Sequence, residues 1–167
     1  MPSPTDVAWA AGFFDGEGTI AIAERTLRGG RRHDQGEPRF RSYQLLLRLP
    51  QTSTPALDRL VGLFGGRYHS AKISPLGRRP IWEWYVLAGK AANALTLMLP
   101  FLTVKHEEAL LALQFRAWQT TRPAIRDSRG RLSPLTEAEV DIARAYRRNL
   151  MKYHRPVETE DQSGPTG

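Results

Sequence analysis

The chain has 167 residues, a formal net charge of +7 and no cysteine. That length suits one domain with a substantial core, and the missing thiols exclude disulfides and thiolate metal sites and fit a reducing interior. No apolar run approaches the roughly 20 residues of a membrane span and no secretory leader is expected, so the anticipated setting is soluble and intracellular, with a bacterial or phage-infected cytoplasm favoured and an organelle the alternative.

In chain order, Thr5 is expected to N-cap a helix over Asp6 to Gly16. Its second half, Ala10-Ala11-Gly12-Phe13-Phe14-Asp15-Gly16-Glu17-Gly18, is the most informative stretch of the protein. Gly12 and Gly16 lie one helical turn apart, so a partner helix can approach that face almost backbone to backbone. Asp15 and Glu17 put carboxylates where the helix stops, and Gly18 releases the chain into a strand. Two such helices side by side bring two Glu17 carboxylates together, and like charges at short range require a cation between them. The plainer alternative is a core helix ending in a glycine turn with solvated acids. An EF-hand loop fits poorly, because the alternating oxygen ligands and the distal Glu are missing.

Thr19 to Thr26 reads as a strand with Ile20 and Ile22 on one side and Ala21, Ala23 and Arg25 on the other. Residues 29–36 form a polar basic loop closed by Pro38. A second strand, Arg39 to Leu49, alternates: Tyr43, Leu45, Leu47 and Leu49 inward, Ser42, Gln44, Leu46 and Arg48 outward. Thr54-Pro55 predicts a helix N-terminus and Gly65-Gly66 its end. Two further strands, about Tyr68 to Ile73 and Ile81 to Leu87, flank the turn Ser74-Pro75-Leu76-Gly77, with Trp82 and Trp84 assigned inward. A helix over Gly89 to Leu99 stops at Pro100. A longer one, Val104 to Thr121, is expected to bury Leu110, Leu113 and Trp118, and Thr136 with Glu139 marks a capping box for a last helix reaching Met151. Residues 156–167 are polar and acidic and are expected to be a disordered tail behind a single domain over 1–155.

The predicted architecture is α+β: an antiparallel sheet with helices on one face. The opposite face carries Arg25, Gln44, Arg48 and Lys72 among small residues, a pattern that suits a polyanion and would be costly in a core. Arginine supplies nearly all the basicity, since the only lysines are Lys72, Lys90, Lys105 and Lys152. Its planar fork matches phosphate and guanine, although GC-rich coding also raises arginine content. His33, His69, His106 and His154 lack ligand spacing and are expected at the surface, without zinc.

This pattern resembles the single-motif LAGLIDADG homing endonucleases over about residues 6–120. Beyond the acidic motif, the resemblance rests on Leu49-Pro50-Gln51-Thr52 after the second strand. It rests also on Leu99-Pro100-Phe101-Leu102-Thr103-Val104-Lys105, followed by Glu108-Ala109. The chain departs from the family in ending its motif with Glu17 instead of Asp, which keeps the carboxylate, and in a short interval after Gln51. No second motif follows, because Leu60-Val61-Gly62-Leu63-Phe64-Gly65-Gly66 lacks the carboxylate.

The resemblance implies an αββαββα core with a four-stranded saddle sheet and C-terminal helices. It implies a homodimer joined through Ala8, Ala11, Gly12, Asp15 and Gly16, and a metal-dependent double-strand break in a long near-palindromic DNA target. Glu17 would ligate Mg²⁺ (or Mn²⁺ or Ca²⁺) with the Gly16 carbonyl beside it, Asp15 would bond locally, and Gln51 and Lys105 would complete the catalytic set. Arg25, Arg28, Ser42, Gln44, Arg48, Ser70 and Lys72 are the expected DNA readers. Arg28, Arg31 and Arg32 in the basic loop, with Arg144, Arg147, Arg148 and Lys152 on the last helix, are expected to grip phosphates. The competing readings are a non-cleaving LAGLIDADG RNA maturase or DNA-binding regulator, and a basic scaffold or ribosome-associated protein.

Overall fold

The computed structural model of the protein describes residues 2–28, 39–71, 80–123 and 133–154. In order, these form α1 (Pro4–Glu17), β1 (Thr19–Arg28), β2 (Arg39–Gln51), α2 (Pro55–Phe64), β3 (Arg67–Ala71), β4 (Ile81–Leu87) and α3 (Ala88–Met98). A 3-10 turn (Leu99–Phe101), α4 (His106–Thr121) and α5 (Glu137–Lys152) complete the order. The four strands make one antiparallel sheet in the order β1-β2-β4-β3. The expected α+β layer is present.

Ser3, not Thr5, caps α1: its hydroxyl accepts from the Asp6 N–H, and Pro4 occupies the first helical position, where no donor is needed. At the other end the Gly18 N–H donates to the Phe14 carbonyl at 2.8 Å. A Cβ on Gly18 would collide with the Phe14 ring, so the switch from helix to strand requires glycine. At Thr54 the helix begins where expected, but the side chain makes no capping bond.

Strand pairing sets the two faces. Ile20 lies opposite Leu47 and Ile22 opposite Leu45, while Leu47 meets Val86 and Leu49 meets Trp84. These side chains are buried under the helices with Val7, Ala10, Ala11, Phe14, Leu57, Leu60, Leu95, Met98 and Phe115. Trp84 satisfies its indole N–H on the Gly65 carbonyl at 3.0 Å, as a buried Trp must. Trp82 and Trp84 share the inward parity assigned to them.

Helix α4 corrects the expectation for its buried side. Ala109, Ala112 and Phe115, with Glu108, are buried, whereas Leu110, Leu113 and Trp118 are only partly so. Small residues admit close approach to the sheet, and α5 supplies cover on the flank. There Phe115, Trp118 and Tyr146 form an aromatic cluster with centroids 5.6–6.2 Å apart.

The expected tail beyond 155 lies outside the described residues, as do Arg31 and Arg32, expected in a basic loop, and Lys72, expected on the third strand. No helix among the described residues is long and apolar enough to cross a membrane.

Candidate functional site

The acidic end of α1 is built by a contact across nearly the whole sequence. The Asp15 carboxylate accepts backbone N–H bonds from Thr103 (2.6 Å), Val104 (3.0 Å) and Lys105 (2.9 Å). Lys105 is the N-cap residue of α4 and has no capping side chain of its own. Asp15 therefore caps a helix some 90 positions downstream, offering negative charge to its positive end. Burial is the largest influence on Asp15 and pushes its pKa up. The three backbone donors and the Lys105 charge outweigh it and hold the carboxyl below its ordinary value.

Lys105 returns the contact by donating its Nζ to the Asp15 carbonyl. This places an ammonium beside the motif's carbonyl ladder. Of the last carbonyls of α1, that of Phe14 takes Gly18 and that of Asp15 takes Lys105, while the Gly16 carbonyl has no protein partner among the described residues. Glu17 is exposed next to it. One end of α1 thus carries a carboxylate and a spare carbonyl, with the Lys105 ammonium held on the carbonyl just before them. Among the described residues no three acidic or histidine side chains converge into a cage. The oxygen-only donors that Glu17 and Gly16 present fit Mg²⁺ or Ca²⁺ and would disfavour softer ions.

Among the described residues nothing covers the glycine face of α1. Gly12 and Gly16 are exposed, and a Cβ built on either meets no atom within 4 Å. Ala8 is half-buried at its edge. Ala11, expected at the same contact, is fully buried in the chain's own core, so a partner cannot reach it. Asp15, also expected there, is half-buried and turns its carboxylate onto its own chain. Helical geometry explains the correction at Ala11: residues 7, 10, 11 and 14 form the stripe facing the sheet.

Gln51 is not in a loop. It is the last residue of β2, paired with Trp82, and shares the inward parity of Leu49. It lies half-buried at the sheet margin.

On the open face of the sheet, Arg25 stands opposite Ser42, Gln44 opposite Ala23, and Arg48 opposite both Thr19 and Tyr85. Arg25 and Arg48 are exposed. Ser70 is corrected: it pairs with Trp82 on the helix side, because β3 runs from Arg67 with the opposite phase to that expected. A one-residue offset exchanges the faces of a strand. The residues that β3 and β4 do present with Arg48 are Arg67, His69, Glu83 and Tyr85. Arg67 donates to the Tyr85 hydroxyl and lies 5.2 Å over its ring, and His69 meets the same ring edge-on at 5.3 Å. The one available signal for them was the alternation Arg67, His69 against Glu83, Tyr85, which a glycine-rich start to the strand obscures.

Arg28 pairs with Arg39 where the β1–β2 ladder ends, and its side chain lies outside the described ones. On α5, Arg147 reaches Glu24 of β1 at 3.8 Å, and Glu24 also pairs with Arg41 at 2.9 Å, so Arg147 serves the protein's own packing. Arg144 pairs with Asp141, whereas Arg148 and Lys152 are exposed.

A cleft beside the acidic end is lined by Gly18, Thr19, Val104, Lys105, Glu108, Tyr153 and His154. Within it Glu108, only 4% exposed, lies with its Oε1 2.6 Å from the His154 Nε2. The spacing of these two residues in the sequence offered no sign of the contact.

The fold is that of the LAGLIDADG homing endonucleases. The chain superposes on the homing endonuclease I-CvuI, solved with a DNA target in the presence of Mg, at TM-score 0.61 and 19% identity, covering 92% of this chain and 85% of that one. The archaeal intron-encoded homing endonuclease I-Vdi141I, complexed with DNA, gives TM-score 0.64 at 15% identity, covering 89% and 84%. The LAGLIDADG meganuclease I-AabMI, bound to uncleaved DNA, gives 0.59 at 18%, covering 88% of this chain but 46% of its own. No protein-family model and no curated protein matches the sequence.

Proposed function

We propose that the protein is a sequence-specific homing endonuclease that works as a homodimer and makes a double-strand break in a long, near-palindromic DNA target. The observation that carries this reading is the Asp15–Lys105 reciprocal contact. It fixes Lys105 at the end of α1 that carries Glu17 and the spare Gly16 carbonyl, next to a glycine face that no described residue covers. A half-site at an open two-fold face is complete only when a second copy docks. The chain's match to less than half of I-AabMI is in keeping with a unit used twice.

Glu17 and the Gly16 carbonyl would hold the divalent ion, Mg²⁺ in the first instance. When bound, it would activate water and offset charge on the phosphodiester transition state. Lys105 supplies a fixed positive charge to the same phosphate, and Asp15 holds both the lysine's backbone and its ammonium in place. Gln51, at the sheet margin, is the candidate for ordering water.

On the open face, β2 has 13 residues, and at about 3.3 Å per residue it spans ~43 Å, more than one ~34 Å turn of duplex. Arg25, Gln44, Arg48, Arg67 and His69 would enter the groove, with arginine suited to guanine and glutamine to adenine. Arg148 and Lys152 remain as phosphate contacts.

The test is a cleavage assay with Mg²⁺ on a plasmid carrying the rejoined flanks of the open reading frame. Wild type should linearise it, and Glu17→Gln should abolish cleavage while specific binding persists in a gel-shift assay. Nicking retained by Glu17→Gln would remove Glu17 from the metal site, and an uncut junction would remove the activity.

A further inference from the structure

We infer that His154 is a positioning residue for Lys105, acting by occupying the buried Glu108 carboxylate that would otherwise capture it. The inference rests on the catalytic reading of Lys105 given above.

Glu108 sits three residues after the N-cap Lys105, the place from which a glutamate normally reaches back to the N-cap N–H. Here Asp15 already holds that N–H. Glu108 is therefore free of a capping duty and turns inward, where it is almost fully buried. A buried carboxylate without a partner is costly, and it attracts the nearest cation.

Residues three apart on a helix are neighbours, and Lys105 has a flexible four-carbon stem. Both residues line one cleft. Left alone, Glu108 would draw the ammonium down into that cleft and away from Glu17. Instead the His154 ring, from the end of α5, bonds Glu108 at 2.6 Å, and the Lys105 Nζ stays on the Asp15 carbonyl. The other charged groups nearby are spoken for or directed elsewhere. Asp15 accepts three backbone bonds, Glu107 pairs with His106 at 3.3 Å, and Glu17 faces solvent. The last turn of α5 thereby sets the position of a lysine on α4 without touching it.

The experiment compares wild type, His154→Ala, His154→Gln and the double variant His154→Ala/Glu108→Gln, each checked for folding by circular dichroism. The readouts are the plasmid cleavage rate, the DNA dissociation constant and the ¹³Cε signal of Lys105. The chain has four lysines, so that signal can be assigned by loss in Lys105→Met.

His154→Ala should cleave roughly 10- to 100-fold more slowly, the scale for a misplaced catalytic group, with binding unchanged. Its Lys105 signal should move. His154→Gln keeps a donor for Glu108 and should stay near wild type. The double variant removes the competing charge and should recover both the rate and the Lys105 signal.

A double variant as slow as His154→Ala would show a merely structural loss and overturn the inference, as would a Lys105 signal unmoved by His154→Ala. If wild type cleaves nothing, the nuclease reading fails, and the Lys105 signals still decide whether His154 keeps Glu108 from the lysine.

Discussion

Asp15 and Glu17 stand two residues apart in one motif and do different work. Asp15 faces its own chain and joins α1 to the start of α4, while Glu17 faces solvent. Asp15→Ala leaves three backbone donors without their acceptor and should cost about 1–2 kcal/mol in urea unfolding. It should also slow cleavage, because it loosens Lys105. Glu17→Gln should leave the unfolding midpoint within experimental error, so stability separates the two acids. The pH dependence follows from the lowered pKa of Asp15. Its contribution is fully present above the ordinary carboxylate value and is lost as pH falls through the lower folded value. Asp15→Asn should therefore narrow its stability gap to wild type in acid.

Two joints between elements are equally specific. Arg122, just past α4, pairs with Glu139 at 2.6 Å, and Glu139 also closes a capping box with Thr136 at the start of α5. The Arg122 bond, then the Thr136 backbone donor, take the Glu139 pKa down from 4.5 to about 2. The stabilisation is thus complete above about pH 4.5 and fades between there and about 2. Glu139→Gln should flatten that stretch of the acid limb, read by thermal melts at stepped pH. At the β4–α3 junction Ala88 has φ 51°, in the left-handed region. Glycine accepts that geometry, so Ala88→Gly should raise stability by about 0.5–1 kcal/mol in urea unfolding.

For the whole molecule the governing fact is a glycine face on α1 that no described residue covers, together with a sheet face that presents exposed arginines. Gly12 has open space beyond its Cα, so Gly12→Leu should leave the monomer as stable or about 0.5–1 kcal/mol more so, since glycine is a poor helix residue. The same change should block helix-to-helix approach and shift the protein from dimer to monomer in light scattering. A variant that stays dimeric would place the interface elsewhere. DNA affinity should fall steeply with salt if Arg25, Arg48, Arg148 and Lys152 neutralise phosphates or line the groove, and a flat salt response would dissociate them from binding.

The order of elements, the antiparallel sheet with one apolar side, the glycine stripe of α1 and the capping box of α5 all follow from the residues themselves. Each depends on local periodicity or a cap within one turn, and such signals survive without knowing what packs where. Ser70, Ala11 and the buried side of α4 needed the folded chain. A strand's phase is set by its neighbour's hydrogen bonds, and a helix's buried stripe by the surface it meets. The same holds for the cap that Asp15 places on α4 and for the Glu108–His154 contact. Those pairs are joined only because the sheet brings distant helix ends together, and no local pattern records such a meeting.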